Sequence, residues 1–275
     1  MMLKRMLVTL LVVFSILFLI VTIHALVLNL SNLRSLEDLS NFGQYLGGTS
    51  GILISLIVAI AALLAYSEQR KQIQLFEHAN HKQSVENTFF QLLKYHEEIV
   101  KNMDVSEISP NKPPHHFQGR NAFKALYSMF NDYYFKETMV VSIRNDLTEP
   151  VTDAKKQKIK NVINKAYIEF DKTYQPYLGY YFRNLYYIIT LIDRDKILNE
   201  SEKNFYIKML RAHLSTYEIL LLFYSSLSER GNVKAKPLIE TYHLLKHIEV
   251  FKEMLLDREN CDHMYLYNPK AYGKK

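Results

Sequence analysis

The chain has 275 residues, 34 Lys and Arg against 28 Asp and Glu, and a formal net charge of +6. Its single cysteine, Cys261, excludes an intrachain disulfide framework and a cysteine-based zinc cluster. Twenty Tyr and 15 Phe, with no Trp, predict a core and contact surface built on Tyr and Phe.

Two apolar runs open the chain, residues 6–30 and 48–66, separated by a short polar loop. A helix that spans a bilayer needs about 20 mostly apolar residues, so each run is long enough to cross. The first outlasts the ~7–15 residue apolar region of a signal peptide, and no small-x-small cleavage site follows it clearly. It therefore reads as a span. Lys4 and Arg5 precede the first run, Arg70 and Lys71 follow the second, and Arg34 between them stands beside Glu37 and Asp38. The excess of basic residues outside the hairpin predicts a multi-pass protein of the bacterial inner membrane, both termini cytoplasmic and the 31–47 loop facing outward.

Gly43, Gly47 and Gly51 open the second run at four-residue spacing. On a helix they form a ridge free of side chains, which allows another membrane helix to approach closely. The partner is either the first span of the same chain or a second copy. A polar stretch, 67–84, reads as an exposed helical neck. From Val85 the pattern changes: Val85, Phe89, Leu92, Leu93, His96, Ile99 and Val100 recur at three- and four-residue steps, which marks a core-facing helix.

Residues 103–118 hold Pro110, Pro113 and Pro114 and read as a loop. Helices are predicted at 121–135 and 154–172, with Pro150 in the segment between. Pro176 and Gly179 mark a turn at 175–180, and an aromatic helix follows at 180–192, ended by 193–195. Residues 201–227 form the longest helical pattern of this part. After a loop at 232–236, Pro237 sits where the first turn of a final helix is expected, running to about 256. No alternating strand pattern exceeds four or five residues. The reading is all-α: a transmembrane hairpin at 1–66, a neck at 67–84 and a cytoplasmic helical domain at 85–275.

The chemistry-bearing patterns are few. There is no glycine-rich phosphate loop and no HExxH, and no cofactor is expected. His115 and His116 are adjacent, which lacks the i,i+4 spacing that chelates well on a helix, so no metal site is assigned. Arg258 and His263 have the Arg-x4-His spacing of the HEPN ribonucleases, in which the arginine binds phosphate and the histidine assists attack of the 2′-hydroxyl. Here Glu259 follows the arginine, and the bland reading is a solvated terminal turn. Arg211, Ser215 and Glu218 fall at i, i+4 and i+7 of the 201–227 pattern, among apolar residues. Buried charges must be paired, so Arg211 and Glu218 are expected to form a buried pair, with Arg183 and Asn184 completing a polar network or a ligand contact. Lysines cluster at Lys155, Lys156, Lys158 and Lys160 and at Lys234 and Lys236. They face anionic lipid or plain solvent, or they bind nucleic acid.

Six blocks then read together: FGQYLGGTSGILISLIVAIAALLAYSEQRKQI, FFQLLKYHEEIV, GRNAFKALY, GYYFRNLYYIITLID, LRAHLSTYEILLLFYSSLSERG and KPLIETYHLLKHI. Their order and content resemble the phage abortive infection proteins of bacteria, the AbiC-like family. The resemblance implies phage defence at the inner membrane, with no catalytic residues to carry over. Similar two-span proteins serve as toxic effectors of retron systems, held in check by a reverse transcriptase and its DNA product. The leading expectation is a homo-oligomeric effector that breaches the inner membrane. The alternatives are a membrane-tethered ribonuclease and a non-toxic membrane scaffold.

Overall fold

The computed structural model describes residues 2–29, 36–107, 115–141, 152–257 and 262–274. Pro110, Pro113, Pro114, Pro150, Arg34, Arg258 and Cys261, on which several expectations rested, lie outside them.

The described chain falls into two compact units, Met1–Asn80 and His81–Lys275. In the first unit, helix α1 spans Met2–Asn29, and helix α2 begins at Leu36 and runs to Lys101. On α1 one stripe is half-buried, Leu11, Phe14, Phe18 and Val21, at three- and four-residue steps. The rest of its girth is exposed and apolar, from Val8 to Val27. The start of α2 has the same character, with a covered stripe at Ile57, Ile60 and Leu64 and exposed Ile52, Ile54, Val58 and Leu63. Among the described residues, no helix is long and apolar enough to cross a membrane. The two spans expected from the sequence therefore remain a proposal. The predicted neck is helical and forms the middle of α2, with every residue from 69 to 80 exposed.

The second unit is built around a buried helix. The end of α2 contributes the expected stripe: Val85, Phe89, Leu93, His96 and Val100 are buried, and Leu92 and Ile99 pack partly buried beside them. Next come β1 (Asp104–Glu107) and β2 (His115–Gln118), an antiparallel pair with Val105 opposite Phe117. This corrects the all-α reading at one place. Four-residue strands are too short to show a period in the sequence, and the prolines beside them read as plain loop. Gly119, at φ +58°, turns the chain into α3 (Arg120–Val141). Only glycine adopts that backbone region without a Cβ penalty.

Helix α4 runs unbroken from Asp153 to Arg194, with Thr152 as its cap and Pro176 inside it. The turn expected at 175–180 is absent. A proline removes one N–H from the helical ladder, but tertiary packing of the buried stripe on both sides, from Ile159 to Phe170 and from Leu178 to Ile192, holds the helix through it. The predicted 201–227 helix is instead two. Helix α5 (Glu200–His213) starts with a reciprocal Asn199–Glu202 capping box, and α6 (Thr216–Leu227) follows after extended backbone at Leu214 and Ser215. Every residue of α6 from Glu218 to Leu227 is buried, so it is the axis on which α3 and α4 pack.

Aromatic rings tile these interfaces. Phe130 lies 5.2 Å from Tyr224 and 5.4 Å from Phe170, and Phe123 lies 4.7 Å from Tyr181. Tilted and edge-on ring pairs of this kind add roughly 0.5–1.5 kcal/mol each beyond area burial.

Short helices α7 (Glu229–Asn232) and α8 (Ala235–Thr241) complete this side. The predicted final helix stops at Thr241 because His243 takes a left-handed conformation, φ 54°. Beyond it the chain makes short 3-10 segments, Ile248–Met254, kinked at Phe251, Asp262–Leu266 and Pro269–Tyr272. The tail is anchored on α6 by Tyr267, which donates to the Phe223 carbonyl at 2.6 Å.

Candidate functional site: a buried polar network and its cavity

The break between α5 and α6 decides the fate of the predicted polar set. Arg211 and Glu218 do not lie on one helix, and they do not pair. The Arg211 guanidinium donates to the His243 carbonyl at 2.8 Å, supporting the strained turn that ends α8. Glu218, 1% exposed, accepts from Ser215 Oγ at 2.7 Å and from Tyr181 Oη at 3.2 Å. Burial pushes its carboxyl above the ordinary range, against those two hydrogen bonds and the nearby Arg120 charge.

Asn184, also buried, turns toward α2. Its Nδ2 donates to the Leu92 carbonyl at 3.4 Å and to His96 Nδ1 at 3.3 Å. The His96 ring in turn sits 4.7 Å from the Tyr181 ring. One continuous network therefore links α2, α4 and α6: His96, Asn184, Tyr181, Glu218 and Ser215. Burial, and then the nearby His213, lower the His96 pKa to about 4, so the ring is neutral at physiological pH. His96 was visible in the sequence only as a core position of α2. Tyr181 was visible only as one of several tyrosines.

Beside His96 lies a cavity of about 380 Å³, lined by Glu97, Lys101, Gly119, Arg120 and His213. It opens at the N-terminal turn of α3. Arg120 donates to the His213 carbonyl at 3.3 Å, and His213 Nε2 lies 3.4 Å from Glu97.

Arg183 joins neither group. It is exposed, donates to the Gly179 carbonyl at 3.0 Å and stacks over Tyr180 at 4.7 Å. It also edges a second cavity of about 390 Å³, in which Asp171 pairs with Arg230 at 2.6 Å. Burial raises the Asp171 carboxyl, partly offset by Arg230.

Residues 173–252 match the family model described as putative phage abortive infection protein. This segment of the chain is similar to that family. It contains all five residues of the predicted polar set, Arg183, Asn184, Arg211, Ser215 and Glu218, the whole of α5 and α6, and much of the second cavity. No curated protein and no solved structure matches the chain. The remaining sequence candidates resolve as follows.

His263 is not in a solvated turn. It is 1% exposed, with Nδ1 2.9 Å from Tyr224 Oη and Nε2 3.0 Å from Tyr134 Oη. Burial lowers its pKa to about 3. Arg258, its proposed partner, lies outside the described residues. His116 faces Asp104 at 3.1 Å, and no cluster that could hold a metal occurs among the described residues. Three of the clustered lysines are covered or paired. Lys155 is buried, Lys156 pairs with Asp153 at 3.2 Å, and Lys236 lies 3.8 Å from Glu240 with its ammonium over the Tyr267 ring.

Gly43, Gly47 and Gly51 fall within α2. A Cβ at any of them would meet no described atom within 4 Å. They occupy a helix face different from the covered stripe Ile57, Ile60 and Leu64.

Proposed function

We propose that this chain is a membrane effector of bacterial phage abortive infection. In this reading the helical second unit responds to infection, directly or through a partner, and the paired apolar helices then assemble and breach the inner membrane. The family match supports the defence role. The observation that carries the membrane role is the exposed apolar girth of α1 and of the start of α2, with Leu19 at 58% and Ile52 at 72% exposure. Apolar surface on nearly all sides of a helix is unfavourable in water and favourable in lipid. The described side chains of α1 run unbroken over the 17 residues 8–24, and the sequence continues apolar on both sides. Spanning helices range from about 17 to 25 residues.

The open glycine face supports self-association. Among the described residues nothing fills this face, and in this reading a second copy occupies it. An inhibitory partner such as a reverse transcriptase–DNA complex fits a toxic effector that must stay silent before infection. The apolar runs carry few charges, which favours a leak formed by assembly over a selective channel.

The test is phage challenge of cells carrying either the full chain or a form with residues 1–66 replaced by a soluble tag, followed with a potential-sensitive dye. Loss of membrane potential with the full chain alone is expected. Protection by the tagged form with the potential intact would overturn the membrane reading.

A further inference from the structure

We propose that the cavity between the end of α2, the start of α3 and the end of α5 binds the phosphate group of a small ligand. The inference is independent of the membrane reading. It starts from His96, which is 2% exposed. Its Nδ1 faces the Asn184 amide nitrogen at 3.3 Å. An amide nitrogen only donates, so Nδ1 accepts, and the neutral ring carries its proton on Nε2. That Nε2 has no hydrogen-bond partner among the described residues and is buried. A buried N–H without an acceptor is unfavourable, and a protein retains one where a ligand supplies the acceptor.

The surroundings of the cavity specify what that acceptor is. Lys101 and Arg120 bring two fixed positive charges to its walls, and the N-terminal turn of the 22-residue helix α3 opens onto it. Helix N-termini present backbone N–H groups and the positive end of the dipole. Glu97, the one carboxylate of the lining, faces His213 at 3.4 Å, and the two cationic side chains outnumber it. Glu218 and Tyr181, from α6 and α4, already satisfy one another. The unsatisfied functionality is donors and positive charge, arranged around a volume of about 380 Å³. A tetrahedral phosphate uses such a set fully, since the arginine fork and the histidine N–H address different oxygens.

Two sources present this chemistry: a soluble nucleotide and an anionic phospholipid headgroup. The experiment uses the full-length protein in a neutral detergent. Calorimetric titration with inorganic phosphate establishes the site, adenosine 5′-monophosphate tests the soluble source, and micelles containing phosphatidylglycerol test the lipid source. Saturable phosphate binding is expected, weakened about tenfold or more by Arg120→Gln, whose side chain is exposed and whose loss spares the core. In protein labelled with nitrogen-15 histidine, the His96 Nε2 resonance should move on phosphate addition, and that change should be missing from His96→Phe. Competition by the nucleotide alone would assign the soluble source, and competition by the micelles alone the lipid. Absence of saturable phosphate binding by the unmodified chain would overturn the proposal. So would equal affinity in the Arg120→Gln variant or an unmoved His96 signal.

Discussion

Tyr181 donates to Glu218 across the α4–α6 interface at 3.2 Å, where a guanidinium was expected from the sequence. A hydroxyl partner satisfies the carboxylate but does not neutralise it, and burial raises the Glu218 pKa. The fold thus holds the protonated form more tightly than the unfolded chain does. As pH rises from the unfolded value of about 4.3 through the raised folded value, stability falls, and the deficit persists at neutral pH. Glu218→Gln removes the charge and keeps an acceptor for Tyr181. It is expected to melt at or above the unmodified temperature at neutral pH, by circular dichroism of the full chain in detergent. Glu218→Leu strands the Tyr181 and Ser215 hydroxyls and should cost about 1–3 kcal/mol. A Gln variant less stable than the Leu variant would refute this account.

Arg211 belongs to a different feature. Its hydrogen bond to the His243 carbonyl, with the chain at φ 54°, stabilises the turn rather than a buried charge. Arg211→Ala should therefore cost about 1.5–3 kcal/mol, the scale of a hydrogen bond to a charged group, rather than the ~3–5 kcal/mol of a stranded buried partner. His243→Gly relieves the left-handed strain. Made in the Arg211→Ala background, it should recover part of the loss in thermal unfolding. An Arg211→Ala variant that fails to fold would contradict the assignment.

His263 and His96 give the opposite pH sign. Both are held neutral by burial, with pKa values lowered to about 3 and about 4. Below the unfolded histidine value of about 6.5 the unfolded chain takes up protons that the folded chain refuses. Each group then withdraws about 1.4 kcal/mol per pH unit until its folded value is reached. From the two histidines, the melting temperature should drop on going from about pH 7 to about pH 5. His263→Phe should flatten that slope while lowering stability at neutral pH, because Tyr134 and Tyr224 lose their shared partner. An unchanged slope in the variant would show that His263 titrates normally.

Gly231 offers a sharper packing test inside the family segment. A Cβ there would fall 2.5 Å from the Ser225 carbonyl oxygen and 2.6 Å from Ser226 Cα, both backbone atoms of α6 and not movable side-chain ends. Gly231→Ala should cost about 1–3 kcal/mol, as overpacking does. Thermal unfolding indistinguishable from the unmodified chain would mean that α7 sits further from α6.

Periodicity located the core face of α2, the aromatic helices and the buried α6, because each repeats an apolar position over several turns. Breaks were harder to place. The α5–α6 break carries no Gly or Pro; its one local signal is Ser215, the N-cap of α6, followed three residues on by Glu218, the spacing of a capping box, and the apolar pattern on either side masked it. Pro176 erred the other way, a strong local signal overridden by buried residues on either side. The polar network was half legible. Asn184, Ser215 and Glu218 stood out as polar residues among apolar ones, but their partners, His96 and Tyr181, come from helices far away in sequence, and only the fold brings them together. His263 was misread as solvated because the tail around it has no helical pattern, yet that tail is anchored by tyrosine hydroxyls.

The glycine face remains the most direct probe of the proposed mechanism. Among the described residues nothing comes within 4 Å of a Cβ placed at Gly47 or Gly51, so replacing both by Leu is expected to create no clash in the monomer. Leucine is also a better helix former than glycine, by close to 1 kcal/mol per site, and keeps the segment apolar. Folding and membrane insertion should therefore survive. Assembly should not, since the bulky side chains hold neighbouring helices apart where small residues would allow close contact. The double variant is expected to reach the membrane in normal amount, to lose crosslinked oligomers, and to leave the membrane potential intact after phage challenge. A potential-sensitive dye and chemical crosslinking on the same cells check both halves. Full depolarisation by the double variant would remove this face from the mechanism. Cell death with an intact potential would return the tethered-nuclease alternative to first place.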